Sequence, residues 1–155
     1  MDNYGFVESA IENELCQSGV YASVTKGSSM RPLFKTNRDV VILKRCDAEP
    51  KKYDVVLYKD GTGKYILHRI VRVSDKCFVI RGDNTFINER VSKNCILAVL
   101  TEFNRKGKKH RVTDRGYRLY ARIWNLIYPI RYAWHLAYRL AHRVYRILFK
   151  RNSEK

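Results

Sequence analysis

Six short runs of β-branched and aromatic residues, separated by turn chemistry, constrain this chain most. They are Val20 to Thr25, Asp39 to Leu43, Asp54 to Tyr58, Tyr65 to Val73, Phe78 to Arg81 and Cys95 to Phe103. Asp60-Gly61-Thr62-Gly63 and Gly82-Asp83-Asn84 are the clearest punctuation between them. No helical period intervenes, so the runs predict an antiparallel or barrel-like β domain over residues 20–103. Ahead of it, Phe6, Ile11 and Leu15 alternate with Glu8, Glu12 and Glu14 at helical spacing, which predicts a short amphipathic helix within 1–19 that ends near Gly19.

Beyond the β region the composition changes. Residues 104–116, opening with Arg105-Lys106-Gly107-Lys108-Lys109-His110, read as a solvated basic linker. Residues 117–155 read as a helical tail that Pro129 kinks or splits, because proline removes a backbone donor. Arg131, His135, Arg139, His142, Arg143, Arg146 and Lys150 cluster on one side of that helix. Ile130, Trp134, Ala137, Ala141, Val144, Tyr145 and Leu148 lie largely opposite. The expected fold is therefore mainly β, with a short N-terminal helix and a C-terminal basic amphipathic tail.

Charge follows the same division. The formal net charge is +16, yet residues 1–100 hold 16 basic and 12 acidic side chains while 101–155 hold 15 and 3. The strongly basic character belongs to the tail, which leaves three uses for it. It suits an anionic membrane surface, through residues 117–150 with Trp124, Trp134, Tyr138 and Tyr145 at helical spacing. It suits equally a packing or partner contact with a solvated charged face. A nucleic acid, held by the charges and stacked on the rings, is the least favoured.

The remaining bounds are negative. Met1-Asp2-Asn3-Tyr4 opens an acidic stretch without the basic and apolar regions of a signal peptide. The longest uncharged run of the tail, Ile123 to Ile130, is too short to span a bilayer. A cytoplasmic or peripherally membrane-associated protein is expected. Cys16, Cys46, Cys77 and Cys95 form no paired metal-ligand spacing and read as reduced, small apolar residues. No metal or other cofactor is implied.

Three segments of the β region bear chemistry when read together. Gly27-Ser28-Ser29-Met30-Arg31-Pro32 follows a strand and sets a serine on a turn, where Gly27 allows close backbone approach and Pro32 fixes the exit. Alone, such a turn is most often structural. His68 shares a strand face with Ile66 and Ile70. A histidine on an apolar face is commonly a satisfied core residue, but a neutral imidazole in a partly apolar site is also a base for a serine hydroxyl. Gly82-Asp83-Asn84 offers a carboxylate that orients an imidazole or merely caps its own turn.

In order and spacing these segments resemble the signal peptidase I and LexA-like superfamily of serine peptidases. That pattern runs from a G-x-S-M or S-G-S-M-x-P nucleophile turn through two G-D-x-V-V strands and a Lys-Arg or His-Arg strand to a G-D turn. Here the counterparts are Gly27 to Pro32, Arg38-Asp39-Val40-Val41, Tyr53-Asp54-Val55-Val56, His68-Arg69-Ile70-Val71 and Gly82-Asp83-Asn84. Arg38 and Tyr53 replace the first glycine of the two strand boxes.

The resemblance implies Ser29 as nucleophile and His68 as general base, at the place where most bacterial members carry lysine. It thus points to the serine–histidine branch of endoplasmic-reticulum, archaeal and some Gram-positive signal peptidases. In that branch an acidic residue in or after the G-D-N turn assists the histidine. Asp83 matches the turn; Asn88 and Glu89 lie where the downstream aspartates stand, so Asp83 comes first and Glu89 second. Gly27 occupies the place of a signal-peptidase serine whose hydroxyl helps hold the oxyanion. The Ser29 backbone N–H is therefore expected as the main donor, with the Ser28 hydroxyl as helper.

The implied activity is cleavage of a signal, leader or precursor peptide through an acyl-enzyme, with a peptide or precursor protein as partner. LexA-type self-cleavage is disfavoured by the absence of an Ala-Gly pair. The rival expectation is an inactive peptidase-like module that binds a membrane surface, a partner protein or nucleic acid through its basic tail.

Overall fold

A computed structural model describes residues 4–150, with side chains described for 11–146. Residues 1–3 of the expected N-terminal helix and 151–155 of the tail lie outside it, as do the side chains of Phe6, Glu8, Leu148 and Lys150. The chain divides after Ala121 into two compact units.

In the first unit, helix α1 (Tyr4–Ser18) precedes strands β1 (Val20–Val24), β2 (Val40–Arg45), β3 (Val55–Lys59), β4 (Tyr65–Val73), β5 (Cys77–Arg81), β6 (Glu89–Ser92), β7 (Ile96–Arg105) and β8 (Lys108–Arg111). All pairings are antiparallel, and the order is β1-β2-β7-β3-β4-β5-β6, with β8 added to β7. Helix α2 (Arg115–Leu126) begins in this unit.

Side-chain alternation makes two cores from one sheet. β3 is buried on both faces: Val55 and Leu57 enter a cluster with Ile11, Leu15, Met30, Phe34, Leu43 and Phe103, whereas Val56 and Tyr58 enter another with Ile70, Phe78, Ile80 and Val91. A β-bulge preserves the first cluster. Ile42 pairs with Glu102 but Leu43 pairs with Leu100, so Thr101 is an extra residue and Phe103 returns to the face of Ala98 and Leu100.

The six predicted runs are all strands, within a residue or two at their ends. β6 and β8 were not expected. β6 carries one buried apolar residue, Val91, and β8 is Lys108-Lys109-His110-Arg111, with no apolar residue to reveal a period. Within the stretch 104–116 read as a linker, residues up to Arg111 belong to the β7–β8 hairpin, turned by Lys106 and Gly107 at φ 53° and 78°, and α2 begins at Arg115.

The tail reading is corrected at its start. Tyr117, Tyr120 and Ala121 pack into the first unit, and Ala121 is buried. In the second unit α3 (Tyr128–Lys150) follows a break at Ile127, with Pro129 in its first turn, where a missing N–H costs no helical bond. Among the described residues no helix is long and apolar enough to cross a membrane. The four cysteines are free thiols, Cys16 and Cys95 exposed and Cys46 and Cys77 half-buried.

Candidate active site

Strand pairing sets which side chains meet. Val56 of β3 pairs with His68 of β4, and Tyr58 with Ile66, so Tyr58 and His68 are diagonal neighbours on one face. Farther across, Ile70 pairs with Ile80, and Ile80 with Glu89 of β6. Glu89 therefore stands on the same face as Ile70 and His68, reached over the width of β5.

The contacts follow. His68 is buried, at 6% exposure, and its Nδ1 lies 3.2 Å from Glu89 Oε1. The Tyr58 hydroxyl donates to Glu89 Oε2 at 2.5 Å and sits 3.4 Å from His68 Nδ1. A carboxylate only accepts, so the imidazole presents its N–H at Nδ1 and its lone pair at Nε2. Burial lowers the His68 pKa below the ordinary imidazole value, against the raising effects of the Glu89 charge, its hydrogen bond and the Asp83 charge. For Tyr58, burial and then the Glu89 hydrogen bond raise the pKa, which keeps the phenol a donor.

Ser29 and this imidazole both border Gly82. A Cβ placed on Gly82 would stand 3.0 Å from His68 Nε2, 3.1 Å from Ser29 Cβ and 2.7 Å from the Ser29 carbonyl oxygen. Nε2 and the Ser29 Cβ are therefore no more than about 6 Å apart, on either side of the point that a side chain at Gly82 would occupy. A side chain there would overlap backbone, so the position requires glycine. The close approach expected of Gly27 thus occurs at Gly82 instead. A Cβ on Gly27 would meet nothing, and what that residue supplies is its φ of 77°.

The Ser29 turn is tied down on two sides. Asn84 donates its backbone N–H to the Ser29 carbonyl at 2.7 Å and its side-chain amide to the Ser28 carbonyl at 3.3 Å. On the other side Asp39, fully buried, accepts from the Lys35 N–H at 2.8 Å and from Arg38 Nε at 2.6 Å. Its carbonyl takes the Thr25 N–H at 2.9 Å, and the Thr36 hydroxyl donates to the Gly27 carbonyl. The Arg38 hydrogen bonds hold the Asp39 carboxyl below the usual carboxylate range despite burial. The Arg38-Asp39 box thus closes the loop that presents Ser29.

Ser29 is half-buried and Ser28 exposed. Among the described residues no hydrogen bond ends on the Ser29 hydroxyl or on its backbone N–H. Both are open to an incoming group, and catalytic hydrogen bonds commonly tighten only when substrate is bound.

Asp83, the first choice for the residue beside the imidazole, is directed elsewhere. Arg69 follows His68 in β4 and so faces the other way. Its Nε and Nη2 donate to the two Asp83 carboxylate oxygens at 2.8 Å each, and Tyr120 donates to Asp83 Oδ2 at 2.9 Å. Tyr117 accepts from Arg69 Nη1 at 3.2 Å. Burial opposes the Arg69 charge, but Asp83 and Tyr117 more than compensate and its pKa is raised. Asp83 therefore closes a buried ion pair under α2, and the carboxylate at the imidazole is Glu89. Asn88 accepts from Arg81 Nη1 at 3.3 Å.

Sequence reasoning missed Tyr58, the Gly82 contact and the tyrosines over Arg69. For Tyr58 a signal existed: closing the β3–β4 hairpin at Asp60 to Gly63 sets Tyr58 opposite Ile66 and hence beside His68. Among the described residues no group of His, Cys, Asp and Glu is arranged to hold a metal ion. Set against known proteins, the chain matches no protein-family model and no curated protein.

Proposed function

We propose that this chain is a serine endopeptidase of signal-peptidase-like type, with Ser29 as nucleophile, His68 as general base and Glu89 orienting the base. The observation that carries the reading is the buried His68, engaged by Glu89 at Nδ1 and set at Nε2 against Gly82 and the Ser29 turn. The order of the five segments, similar to that of the signal peptidase I and LexA-like superfamily, supports it further.

The chemistry runs in two halves. Ser29 Oγ attacks a peptide carbonyl carbon while its proton passes to His68 Nε2, and Glu89 stabilises the resulting imidazolium. The Ser29 N–H donates to the oxyanion. Collapse breaks the C–N bond, the imidazolium gives its proton to the leaving amine, and an ester on Ser29 remains. Water, deprotonated by the same imidazole, then attacks the ester and releases the acid and the serine. The substrate is a signal, leader or precursor peptide. No cofactor takes part.

The rival class, a non-catalytic module acting through the basic tail, leaves a buried base beside an open serine without a task. A fluorophosphonate probe separates the two. Wild-type protein is expected to label on Ser29, and Ser29→Ala and His68→Ala to lose that label. Equal labelling of all three, or none in the wild type, removes the enzyme reading.

A further inference from the structure

The proposed chemistry makes no use of α3. Projected at about 100° per residue, Arg131, His135, Arg139, His142, Arg143 and Arg146 fall within roughly 120° of arc. The remaining sector, roughly 200° wide, is uncharged. Ile130, Trp134, Leu140, Val144 and Tyr145 lie in it and are 73%, 77%, 56%, 54% and 57% exposed. Single exposed apolar side chains are ordinary, but a continuous sector along a helix marks a contact surface.

Charge decides the occupant. No acidic residue occurs between Asp114 and Glu154, so nothing on α3 neutralises its arginines. A second copy laid on the apolar sector would turn both arginine rows outward and leave them unneutralised, since neither copy carries an acidic residue there. Duplex nucleic acid would take the arginines and leave the apolar sector in water. A bilayer of anionic lipid meets both faces, with phosphates for the arginines and acyl chains for the apolar sector. Trp134, Tyr138 and Tyr145 follow one another along one border of that sector, next to the basic arc, which is the level of the headgroups in such an arrangement.

We propose that α3 lies in the plane of an anionic lipid surface, apolar sector inward, and docks the protein there. This inference is independent of the peptidase reading.

The test uses the full chain and vesicles of phosphatidylcholine with or without phosphatidylglycerol. Co-sedimentation is expected with the anionic vesicles and not with the neutral ones. It should weaken at least about tenfold in Arg139→Glu/Arg143→Glu/Arg146→Glu and, separately, in Trp134→Glu. Unchanged circular dichroism and melting establish that these variants fold. Trp124→Phe, which leaves Trp134 as the sole tryptophan, should show quenching by brominated acyl chains in anionic vesicles. Several results overturn the proposal: no sedimentation, equal sedimentation with both vesicle types, variants that sediment like wild type, or unquenched Trp134. Retention of a DNA duplex, or a Trp134-dependent dimer, without vesicle binding overturns it in favour of nucleic acid or a second copy.

Discussion

Glu89 Oε1 lies 3.2 Å from His68 Nδ1, although the two residues sit on strands separated by β5. Asp83, nearer to the imidazole in the chain, is instead paired with Arg69. The two carboxylates should therefore fail differently. Glu89→Gln is expected to slow fluorophosphonate labelling of Ser29 by about 10²–10⁴-fold while leaving the urea midpoint nearly unchanged. Asp83→Asn leaves the buried Arg69 charge uncompensated and should cost about 3–5 kcal/mol in urea unfolding. Reversed outcomes would return the orienting role to Asp83.

Gly82 should tolerate no side chain. In Gly82→Ala the new Cβ would stand 2.7 Å from the Ser29 carbonyl oxygen, so the Ser29 turn must move away from His68. Labelling is expected to fall by more than about 100-fold, since small misplacements of a reacting group cost that much. The stability loss should stay within about 1–3 kcal/mol. Labelling at the wild-type rate would show that the approach is slack.

The labelling rate should fall on acidification, with its midpoint below the ordinary imidazole value of about 6.5. The sign follows from burial: neutral His68 is the base, and burial disfavours its cation. Glu89 opposes that effect, so Glu89→Gln should move the midpoint to still lower pH. The same depression links to stability. The unfolded chain takes up this proton near pH 6.5, whereas the folded chain does so only at lower pH. His68 thus favours folding fully above that value, and this contribution is lost as pH falls through the folded pKa. His68→Gln, which removes the base and with it the labelling, should flatten this part of the stability profile.

Asp39 holds the Ser29 loop without touching the site. Asp39→Ala removes a buried acceptor from the Lys35 N–H and from Arg38, and on the order of 3 kcal/mol of stability should go with it. Protease nicking between Thr25 and Asp39, followed by mass spectrometry, is expected to appear in this variant before global unfolding. Nicking elsewhere first would place the loop's anchor outside Asp39.

Much of this protein could be read from its residues one segment at a time. Alternation of apolar residues is a local property, so the six apolar runs, the α1 helix and the break near Pro129 were legible. Ser29 and His68 could be picked out only by reading their segments together with the resemblance those carry, because a turn serine or a strand histidine alone is most often structural. β6 and β8 were not legible, being too short and too polar to show a period. Nor was the choice between two carboxylates. Asp83 and Glu89 lie close together in the chain, and only the pairing of β4, β5 and β6 puts Glu89 on the imidazole face. The reversal of side at each strand residue puts the buried Arg69 charge on the other face, and Asp83 is its partner there. Which residues alternate is written locally. Which strands lie side by side, and what each buried charge finds as its partner, is decided by long-range packing.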